Sequence, residues 1–378
     1  MSFDFLSNFN KLLEECPDNT GKVPSSNKSA DLDSVIGSIA YAHLNNQLAN
    51  FDRTCLPIIQ IPRSDIRIRP ECVYVFEDCG FSVDTLIFID DITPHIDKLF
   101  ANYDIQLVLV DHNELIGVWK NFSQNVEVIL DHHEDKGLHM NARLRCVENV
   151  GSATSLVVLN FKDRWERESD DAKLAKFFLA PILADTIFLD VSKGRTTNKD
   201  QMAADFLLNF LELSENVNVF IKNYYDKIRK ARFDIFDLSN FDLLRKDYKE
   251  RNIEKYRVGI SSIGWNVDAW IKREGLEVLI RGLKEYCQTR ELDLLIVMLS
   301  FDHGGFRREM IICSVNGPFC RKEVLEEFKA KMMGLERHPV MDNDIDEMDV
   351  GFYVQKNPNL SRKQVYPIVE NSFLGRRQ

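Results

Sequence analysis

The 378-residue sequence lacks several features that would place it in a common class of protein. It has no excess of positive charge, because 48 Lys and Arg residues face 59 Asp and Glu residues, for a net charge of −11. This acidic balance argues against a general nucleic-acid binder, which usually has a basic surface. An anionic substrate is still compatible with it, since metal ions and a few well-placed Arg or Lys residues can reverse the local field.

No apolar run reaches the roughly 20 residues that a membrane-spanning helix needs. The first five residues have neither a basic end nor a continuous apolar core, so we expect no secretory signal. The eight cysteines never form a Cys-x-x-Cys pair, which favours reduced thiols over disulfides or structural zinc. The sequence therefore predicts a soluble cytoplasmic protein without membrane or nucleic-acid partners, and it does not indicate an oligomeric state.

The length of the chain exceeds what one core usually supports, so we expect two domains. In the N-terminal half, strand-like and helix-like segments alternate, and several strands are nearly continuous runs of Val, Ile and Leu. Such runs are typical of a parallel sheet with helices on both faces, and hence of an α/β fold. From Ser214 the pattern changes to a smaller α+β arrangement, so we place the domains at residues 1–213 and 217–378.

The predicted elements follow from hydrophobic periodicity. Strands are predicted at residues 56–61, 72–77, 85–89, 107–110, 126–130, 144–150, 256–260, 292–299 and 310–314. Helices are predicted at residues 34–47, 151–161, 171–183, 199–213, 219–231 and 267–286.

Two of the apolar runs end in an acid followed by histidine. Residues 107–110 lead into Asp111–Asn113 (Asp-His-Asn), and residues 126–130 lead into Asp131–His133 (Asp-His-His). The carboxyl ends of parallel strands are where an α/β sheet presents functional groups. Carboxylate and imidazole together form a ligand set that divalent metals prefer. The structural alternative is that acids often end strands in turns, and that adjacent histidines point in different directions.

Three further acids complete a candidate metal site. Asp31 and Asp33 precede a helical pattern, where two carboxylates at i and i+2 can address neighbouring cations and where helix capping is the alternative. Asp185 follows an apolar helical pattern, and a carboxylate buried there needs a cation or hydrogen-bond donors. Pairing with Lys193 or Arg195 is the structural alternative for Asp185. Together with the two strand ends, these acids supply enough ligands for a two-metal centre.

In this order, the motifs resemble those of the DHH phosphoesterase superfamily. A C-terminal motif resembles the phosphate-binding segment of the branch that contains family II inorganic pyrophosphatases, cytosolic exopolyphosphatases and prune-type proteins. The resemblance implies an N-terminal parallel-sheet DHH domain that carries two metals, and a C-terminal lid domain whose basic residues close over phosphate. The matching elements span nearly the whole chain: Asn27 with Asp31 and Asp33, the two strand-end motifs, Ala184–Thr186 and Ser361–Gln364.

The resemblance also implies a role for each motif residue. His133 would lie beside the substrate, as a proton donor or phosphate contact. Asp111 would be both a catalytic residue and a metal ligand. Asp131 is expected to orient His132 from outside the ligand shell. His112 would be secondary. The implied metal ligands are Asp31, Asp33, Asp111, His132 and Asp185.

Basic residues would hold the phosphate groups of the substrate. Arg362 and Lys363, in the C-terminal motif, offer a planar fork and a point charge. Lys230 is a third candidate, and Arg307 and Arg308 would guide a longer chain unless they are solvated surface residues.

One departure from the family pattern narrows the function. The pyrophosphatases have His where this chain has Asn27, which makes Asn27 a variant ligand position. An amide oxygen is a harder donor than imidazole, so the site should favour Mg²⁺, with Mn²⁺ or Co²⁺ as other possibilities. The sequence therefore predicts an exopolyphosphatase that removes the terminal phosphate of inorganic polyphosphate. The alternatives are a pyrophosphatase or nucleotide phosphodiesterase on the same scaffold, or a prune-like interaction protein with a vestigial site. Because Pro24 is poorly suited to a central strand, we expect the strand before Asn27 to be short or distorted.

Overall fold

The computed structural model divides into two compact units, Met1–Asp234 and Ile235–Gln378. The helix Val217–Arg232 belongs to the first unit, because its buried residues join the hydrophobic core of that unit. The division therefore follows this helix, whereas the sequence places it before the helix. The structure describes residues 21–25, 30–48, 54–165, 171–314, 324–328, 331, 333–340 and 350–374, together with residues 5, 7 and 9.

The first unit is built around a seven-stranded sheet in which neighbouring strands run parallel. Its strands are β1 (Gly21–Ser25), β2 (Thr54–Cys55), β3 (Ile58–Ile59), β4 (Ile87–Phe88), β5 (Ile105–Val110), β6 (Val126–Asp131) and β7 (Leu144–Val147). The order is β4-β3-β1-β5-β6-β7, and β2 also pairs with β1. β5 and β6 are largely buried runs of Val, Ile and Leu, as in a parallel sheet covered by helices. The predicted α/β class is confirmed.

β1 contains Pro24 and still lies inside the sheet. It pairs with β5 along its whole length, from Gly21 opposite Ile105 to Ser25 opposite Leu109. On its other side β2 pairs with residues 21 and 22 and β3 pairs with residue 25, so residues 23 and 24 face the gap between β2 and β3. A residue without an N–H group is tolerated more easily where pairing is interrupted. The strand is therefore five residues long, with a break in pairing on one side.

Helices α1, α5 and α6 pack together beside the sheet. Most residues of α1 are buried, which is typical of a helix in the core. The helices of this unit are α1 (Leu32–Leu48), α2 (Pro70–Asp78), α3 (Ile89–Ile92), α4 (Ile96–Asn102), α5 (Ala153–Phe161), α6 (Asp171–Thr186), α7 (Asn198–Leu208) and α8 (Val217–Arg232). Short 3₁₀ helices lie at Arg63–Ile68, Val83–Thr85, Thr93–His95, Gly117–Asn125, Lys162–Arg164 and Val191–Lys193.

The strand predicted at residues 72–77 is wrong, because this segment belongs to helix α2. Pro70 lies in the first turn of α2, a position that proline favours. The buried residues Cys72, Val75 and Phe76 recur with helical spacing. A short apolar run does not distinguish a strand from a buried helix, and the proline is the signal that decides here.

The second unit is a six-stranded mixed sheet with helices, the α+β arrangement that the sequence predicts. Its strands are β8 (Tyr248–Ile253), β9 (Tyr256–Ile263), β10 (Leu294–Asp302), β11 (Phe306–Ser314), β12 (Leu335–Arg337) and β13 (Val350–Gln355). They follow the order β12-β13-β11-β10-β9-β8, and the β9–β10 pair is parallel while the other pairs are antiparallel. The helices are α9 (Asn240–Lys246), α10 (Val267–Glu274), α11 (Leu276–Thr289) and α12 (Arg362–Leu374).

The core of the second unit lies on both faces of its sheet. One face packs against α9, α10 and α11, and the other packs against α12. The single helix predicted at residues 267–286 is two helices, because Gly275 has a φ of +83° and separates α10 from α11. In the described part of the chain, no helix is both long and apolar enough to cross a membrane.

Candidate metal centre

Asp111 and Asp131 lie at the carboxyl ends of β5 and β6, which are neighbours in the parallel sheet. Asp111 directly follows β5 and has a φ of +65°, and its amide donates a hydrogen bond to the carbonyl oxygen of Leu130 at 2.9 Å. A positive φ is uncommon for a residue with a Cβ, although Asp tolerates it better than most. The chain therefore turns sharply at this residue, and both buried acids lie at one edge of the sheet.

Three side chains at this edge lie close enough to share a metal ion. One ligand atom from each of Asp111, His132 and His133 lies within 4.8 Å of the other two. Oδ1 of Asp111 is 3.1 Å from Nε2 of His132 and 3.5 Å from Nδ1 of His133. Oδ2 of Asp33 is 3.9 Å from the same Nε2 of His132. The structure thus brings together four of the residues that the sequence singles out.

Asp33 is buried in the first turn of α1 and is bound by the start of α5. Its Oδ1 accepts hydrogen bonds from the hydroxyl of Ser152 at 2.6 Å and from the amide and hydroxyl of Thr154 at 2.9 and 2.7 Å. Its Oδ2 accepts a hydrogen bond from the amide of Ala153 at 2.7 Å. Amide groups at a helix N-terminus favour a negative charge. The carboxylate of Asp33 is therefore held in one orientation.

Asp31, directly before α1, and Asp185, on α6, approach the same region. Oδ1 of Asp31 accepts a hydrogen bond from the amide of Ser34 at 3.0 Å, so Asp31 caps α1. Asp185 lies in the last turn of α6 and is half-buried. Its pKa is raised well above the usual value, first by burial and then by the negative charges of Asp33 and Asp31. The carboxylates are therefore near enough to repel one another.

The charges of the cluster fit a site for divalent cations. Burial raises the pKa of Asp111 well above its usual value, and Asp31 and Asp33 raise it further, while the hydrogen bond from His132 opposes them. Burial by itself would lower the pKa of His132, but Asp111 and Asp33 outweigh this effect and raise that pKa to about 10. A divalent cation relieves both effects, since it offsets the carboxylate charge and binds neutral imidazole.

The two adjacent histidines are held by different partners. Nδ1 of His132 is 3.1 Å from the carbonyl oxygen of Val150, which leaves its Nε2 beside Asp111. Nδ1 of His133 is 2.9 Å from Oδ1 of Asp131, and the side chain is 55% exposed. The sequence assigns Asp131 to the ring of His132, whereas in the structure Asp131 binds the ring of His133. Adjacent side chains point in different directions, so the carboxylate reaches only one of the two rings.

Asn113 holds Asp131 in place, a role that the sequence does not indicate. Its Nδ2 donates to Oδ2 of Asp131 at 2.5 Å and to the carbonyl oxygen of Glu134 at 3.1 Å. Burial raises the pKa of Asp131, but the hydrogen bonds from His133 and Asn113 outweigh it, and the net pKa is lowered. Asp131 is thus an anion beside the ring of His133.

Asp200 is a buried residue of the site that sequence reasoning missed. Its Oδ2 accepts the amide of Gly151 at 2.8 Å, and its Oδ1 accepts the amide of Ser152 at 3.2 Å and the hydroxyl of Ser155 at 2.7 Å. It therefore anchors the turn whose next residues bind Asp33. A Cβ on Gly151 would lie 2.6 Å from the carbonyl oxygen of Arg195. The available signal was the run of small and hydroxyl residues at 151–155, which is typical of a helix start.

The backbone after Asp185 is strained. Residues 187–189 all have left-handed conformations, with φ between 49° and 64°. This conformation costs about 1–2 kcal/mol for each residue other than glycine. The hydroxyl of Thr186 supports the turn, since it donates to the carbonyl oxygen of Ile182 at 2.5 Å and accepts the amide of Leu189 at 3.1 Å. The turn ends α6 at Thr186, one residue after Asp185, and so defines where that carboxylate lies.

His112, the residue after Asp111, is held by the backbone of β5. Nδ1 of His112 is 3.0 Å from the carbonyl oxygen of Val110, and burial lowers the pKa of this imidazole. His112 is therefore neutral at pH 7, with its Nδ1 beside the backbone of β5. Asn27 lies outside the described residues.

Lys230, the phosphate contact predicted in the first unit, lies on α8. Lys230 is exposed on α8 and lines a surface depression of about 400 Å³ together with Lys176 and Lys227. Arg232, two residues later, carries a positive charge that lowers the pKa of Asp185. The sequence does not single out Arg232, although its charge acts on Asp185.

The remaining predicted phosphate contacts lie in the second unit. Arg362 begins α12 and binds Asp247 at 2.8 Å, and Lys363 beside it is exposed. Arg307 is exposed at the start of β11. Arg308 is half-buried, and its Nε donates to the carbonyl oxygen of Pro358 at 2.8 Å. Arg308 therefore supports the loop that leads into α12.

Comparison with known families assigns each unit. Residues 25–184 match the family described as "DHH family, N-terminal domain", and residues 226–372 match the "DHHA2 domain". The first match contains the strand-end motifs, and the second contains the predicted phosphate-binding segment before and within α12.

Individual proteins show the same likeness. A Schizosaccharomyces pombe protein named "Putative exopolyphosphatase" is 32% identical over 361 residues, covering 92% of this chain and 90% of that protein. A "Manganese-dependent inorganic pyrophosphatase" of Methanothrix thermoacetophila is 25% identical, covering 72% of this chain and 79% of that protein. A Methanococcus jannaschii structure titled as a "putative family II inorganic pyrophosphatase" has the same fold, with a TM-score of 0.56 and 19% identity, covering 94% of this chain and 99% of that one. The chain therefore belongs to the DHH phosphoesterase superfamily, with a DHH domain followed by a DHHA2 domain.

Proposed function

We propose that this protein is a metal-dependent exopolyphosphatase, which hydrolyses the terminal phosphoanhydride bond of inorganic polyphosphate, short chains included, in the cytoplasm. The observation that carries the proposal is the cluster of Asp111, His132 and His133, within 4.8 Å at the ends of adjacent strands. Asp33 approaches the imidazole of His132. The negative charges of Asp31 and Asp33 also raise the pKa values of Asp111 and Asp185. These residues form a ligand set for divalent metals in a family of phosphoanhydride hydrolases.

The choice of polyphosphate over diphosphate rests on two observations about the chain. The relative with 32% identity is named an exopolyphosphatase, and the alignment with it covers 90% of its length. By the family resemblance, Asn27 takes the position at which the pyrophosphatases carry histidine. A pyrophosphatase activity is the second candidate, because a relative at 25% identity is named for it.

The proposed site holds two divalent cations. Asp31, Asp33, Asp111, His132 and Asp185 would be their ligands. Mg²⁺ is favoured because an amide at Asn27 is a harder donor than imidazole, and Mn²⁺ or Co²⁺ are the other candidates. When bound, such cations supply the positive charge that makes water nucleophilic near neutral pH.

The protein's own residues would position the substrate and move the proton. Nδ1 of His133 is engaged by Asp131 at 2.9 Å, which leaves Nε2 to donate a proton to the leaving phosphate oxygen. The exposure of His133 suits a group that meets a substrate from solvent. Arg362 and Lys363 would hold the phosphate groups, since a guanidinium fork and an ammonium suit phosphate oxygens.

A phosphate-release assay tests the proposal. Diphosphate, tripolyphosphate, long-chain polyphosphate, ATP and cyclic AMP are each supplied with Mg²⁺, Mn²⁺ or Co²⁺. We expect release from tripolyphosphate and long chains, and little or none from the other three substrates. Hydrolysis of diphosphate alone would assign a pyrophosphatase instead. Intact substrates under every condition would favour an interaction protein with a vestigial site.

A further inference from the structure

Two cationic side chains of β8 lie on the face of the second sheet that packs against α12. β8 is the edge strand of the second sheet, and successive side chains of a strand point to opposite faces. Ile253 packs in the same core cluster as Tyr366 of α12, whereas Tyr248 packs in the cluster on the opposite face. Lys249 and Arg251 share the face of Ile253, because they precede it by four and two positions.

The start of α12 adds two more cations to this face. Arg362 binds the carboxylate of Asp247, the residue before β8, at 2.8 Å, and it donates to the carbonyl oxygen of Asp247 at 3.0 Å. The guanidinium of Arg251 lies over the ring of Tyr366, 4.6 Å from its centre. These contacts join the strand and the helix into one group, called here the cationic cluster. Its members are Lys249, Arg251, Arg362 and Lys363.

The cationic cluster carries more positive charge than its neighbours balance. Asp247 is already engaged by Arg362. In the part of the chain that the structure describes, Lys249, Arg251 and Lys363 form no ion pair with a carboxylate. Burial and the charges of Arg362, Arg251 and Lys363 together lower the pKa of Lys249. Cations that repel one another in this way are stabilised when an anion binds among them.

Tyr366 brings a hydrogen-bond donor to the same place. Its side chain is 6% exposed, and its hydroxyl has no hydrogen-bond partner among the described residues. A buried hydroxyl without a partner is costly and is normally satisfied by a ligand or water. Burial raises the pKa of this hydroxyl to about 12, and the charges of Arg251 and Arg362 partly oppose that rise. Tyr366 is therefore a neutral donor beside the guanidinium groups.

We propose that Lys249, Arg251 and the hydroxyl of Tyr366 bind phosphate groups of the polyphosphate substrate beside Arg362 and Lys363. The inference rests on the proposed function and adds the residues that set its preference for chain length, chiefly Lys249 and Arg251. The ligand is a linear phosphoanhydride chain. Such a chain carries about one negative charge per phosphate, which a row of ammonium and guanidinium groups matches.

Kinetics with chains of two lengths test the inference. The double variant Lys249→Met/Arg251→Met removes two charges and keeps the apolar stems. Lys272→Met/Arg281→Met is the matched control, because both of these residues are exposed on α10 and α11, which cover the opposite face of the sheet. In the first variant, we expect the KM for long-chain polyphosphate to rise about tenfold, because a charge-assisted contact is lost. Its kcat should change little. The KM for tripolyphosphate should change less than about twofold, and the control should behave as the wild type.

A direct binding measurement distinguishes a failure of this inference from a failure of the proposed function. Calorimetric titration of the EDTA-treated full chain with long-chain polyphosphate needs no turnover, and the first variant should bind about tenfold more weakly than the wild type. Equal binding and equal KM in the wild type and the variant would overturn the inference, as would an equal loss in the control. If the wild type hydrolyses no polyphosphate, the proposed function fails, and the titration still decides whether the cationic cluster binds the chain.

Discussion

His132 and His133 are neighbours in the sequence but lie in different surroundings. The ring of His132 is 20% exposed and lies between Val150 and Asp111. The ring of His133 is 55% exposed and is held by the anionic Asp131. One imidazole is therefore suited to bind a metal ion and the other to meet a substrate.

Substitution of each histidine by glutamine should separate these roles. His133→Gln should lower kcat by about 100-fold or more, as the loss of a general acid does, while the affinity for Mn²⁺ changes little. His132→Gln should weaken Mn²⁺ binding by at least about tenfold, since even residues that only support a ligand have effects of that size. Calorimetric metal titration and phosphate release measure the two effects. Equal losses of metal affinity in both variants would contradict the division of roles.

At the residue scale, the sequence predicts the local parts of the cluster and misses the distant ones. Asp111 and His132 could be found because each follows an apolar strand within one short motif. The partner of Asp33 could not, since Thr154 lies 121 positions away and periodicity within one segment does not indicate which distant segment packs against it. Asp131 was assigned to the wrong ring for a related reason, because its choice between His132 and His133 depends on side-chain geometry.

At the scale of elements, the start of α5 links several parts of the site. Its first residues bind Asp33, and the turn before it is anchored by Asp200. Gly151 lies in this turn, where a Cβ would meet Thr186 at 2.5 Å and Arg195 at 2.6 Å. The turn thus connects the start of α5 with α1, which carries Asp33, and with the end of α6, which carries Asp185.

Gly151→Ala should therefore disturb both stability and metal binding. The added methyl group has to displace backbone, so the free energy of unfolding should fall by about 1–3 kcal/mol. Metal affinity should fall with it, because Asp33 shifts with the start of α5. Gly282→Ala is the control, since its Cβ would meet mainly the Asn240 side chain, at 3.2 Å or more, and alanine favours a helix interior. A Gly151→Ala protein with unchanged stability and affinity would contradict this account of the turn.

The boundaries of helices and strands were predictable where a hydrophobic pattern is long. They were missed where a single proline or glycine determines the type or the end of an element. Residues 107–110 and 126–130 were predicted as strands, and the structure extends them only to Ile105–Val110 and Val126–Asp131. Residues 72–77 read as a strand from composition, while Pro70 and helical burial make them part of α2. The predicted helix at 267–286 continued through Gly275, whose positive φ ends α10.

For the whole molecule, the stability of the metal-free protein should depend on pH in a defined direction. The pKa values of Asp111, Asp185 and His132 are all raised in the folded protein. Groups of this kind stabilise the fold most at low pH and lose that contribution as the pH rises. For His132 the loss falls between about 6.5, its unfolded value, and about 10. Buried His43 acts in the opposite direction, because its pKa is lowered to about 4 and its contribution is lost only below pH 6.5.

In EDTA, the free energy of unfolding should therefore decrease by about 1–3 kcal/mol between pH 6.5 and pH 9. Urea unfolding at the two pH values measures the change, and His132→Gln should reduce it. Saturating Mg²⁺ should reverse the trend, because metal binding requires ionised carboxylates and neutral imidazole. A metal-free protein that becomes more stable over this interval would contradict the charge balance inferred for the site.

The central claim is that phosphoanhydride hydrolysis depends on the metal cluster around Asp111. The most direct test is the rate of phosphate release from long-chain polyphosphate, with Mg²⁺, by the wild type, Asp111→Asn and the exposed control Asp97→Asn. We predict release by the wild type and the control, and a loss of at least about 1,000-fold in Asp111→Asn, whose fold should be intact by circular dichroism. Undiminished release by folded Asp111→Asn would contradict the account.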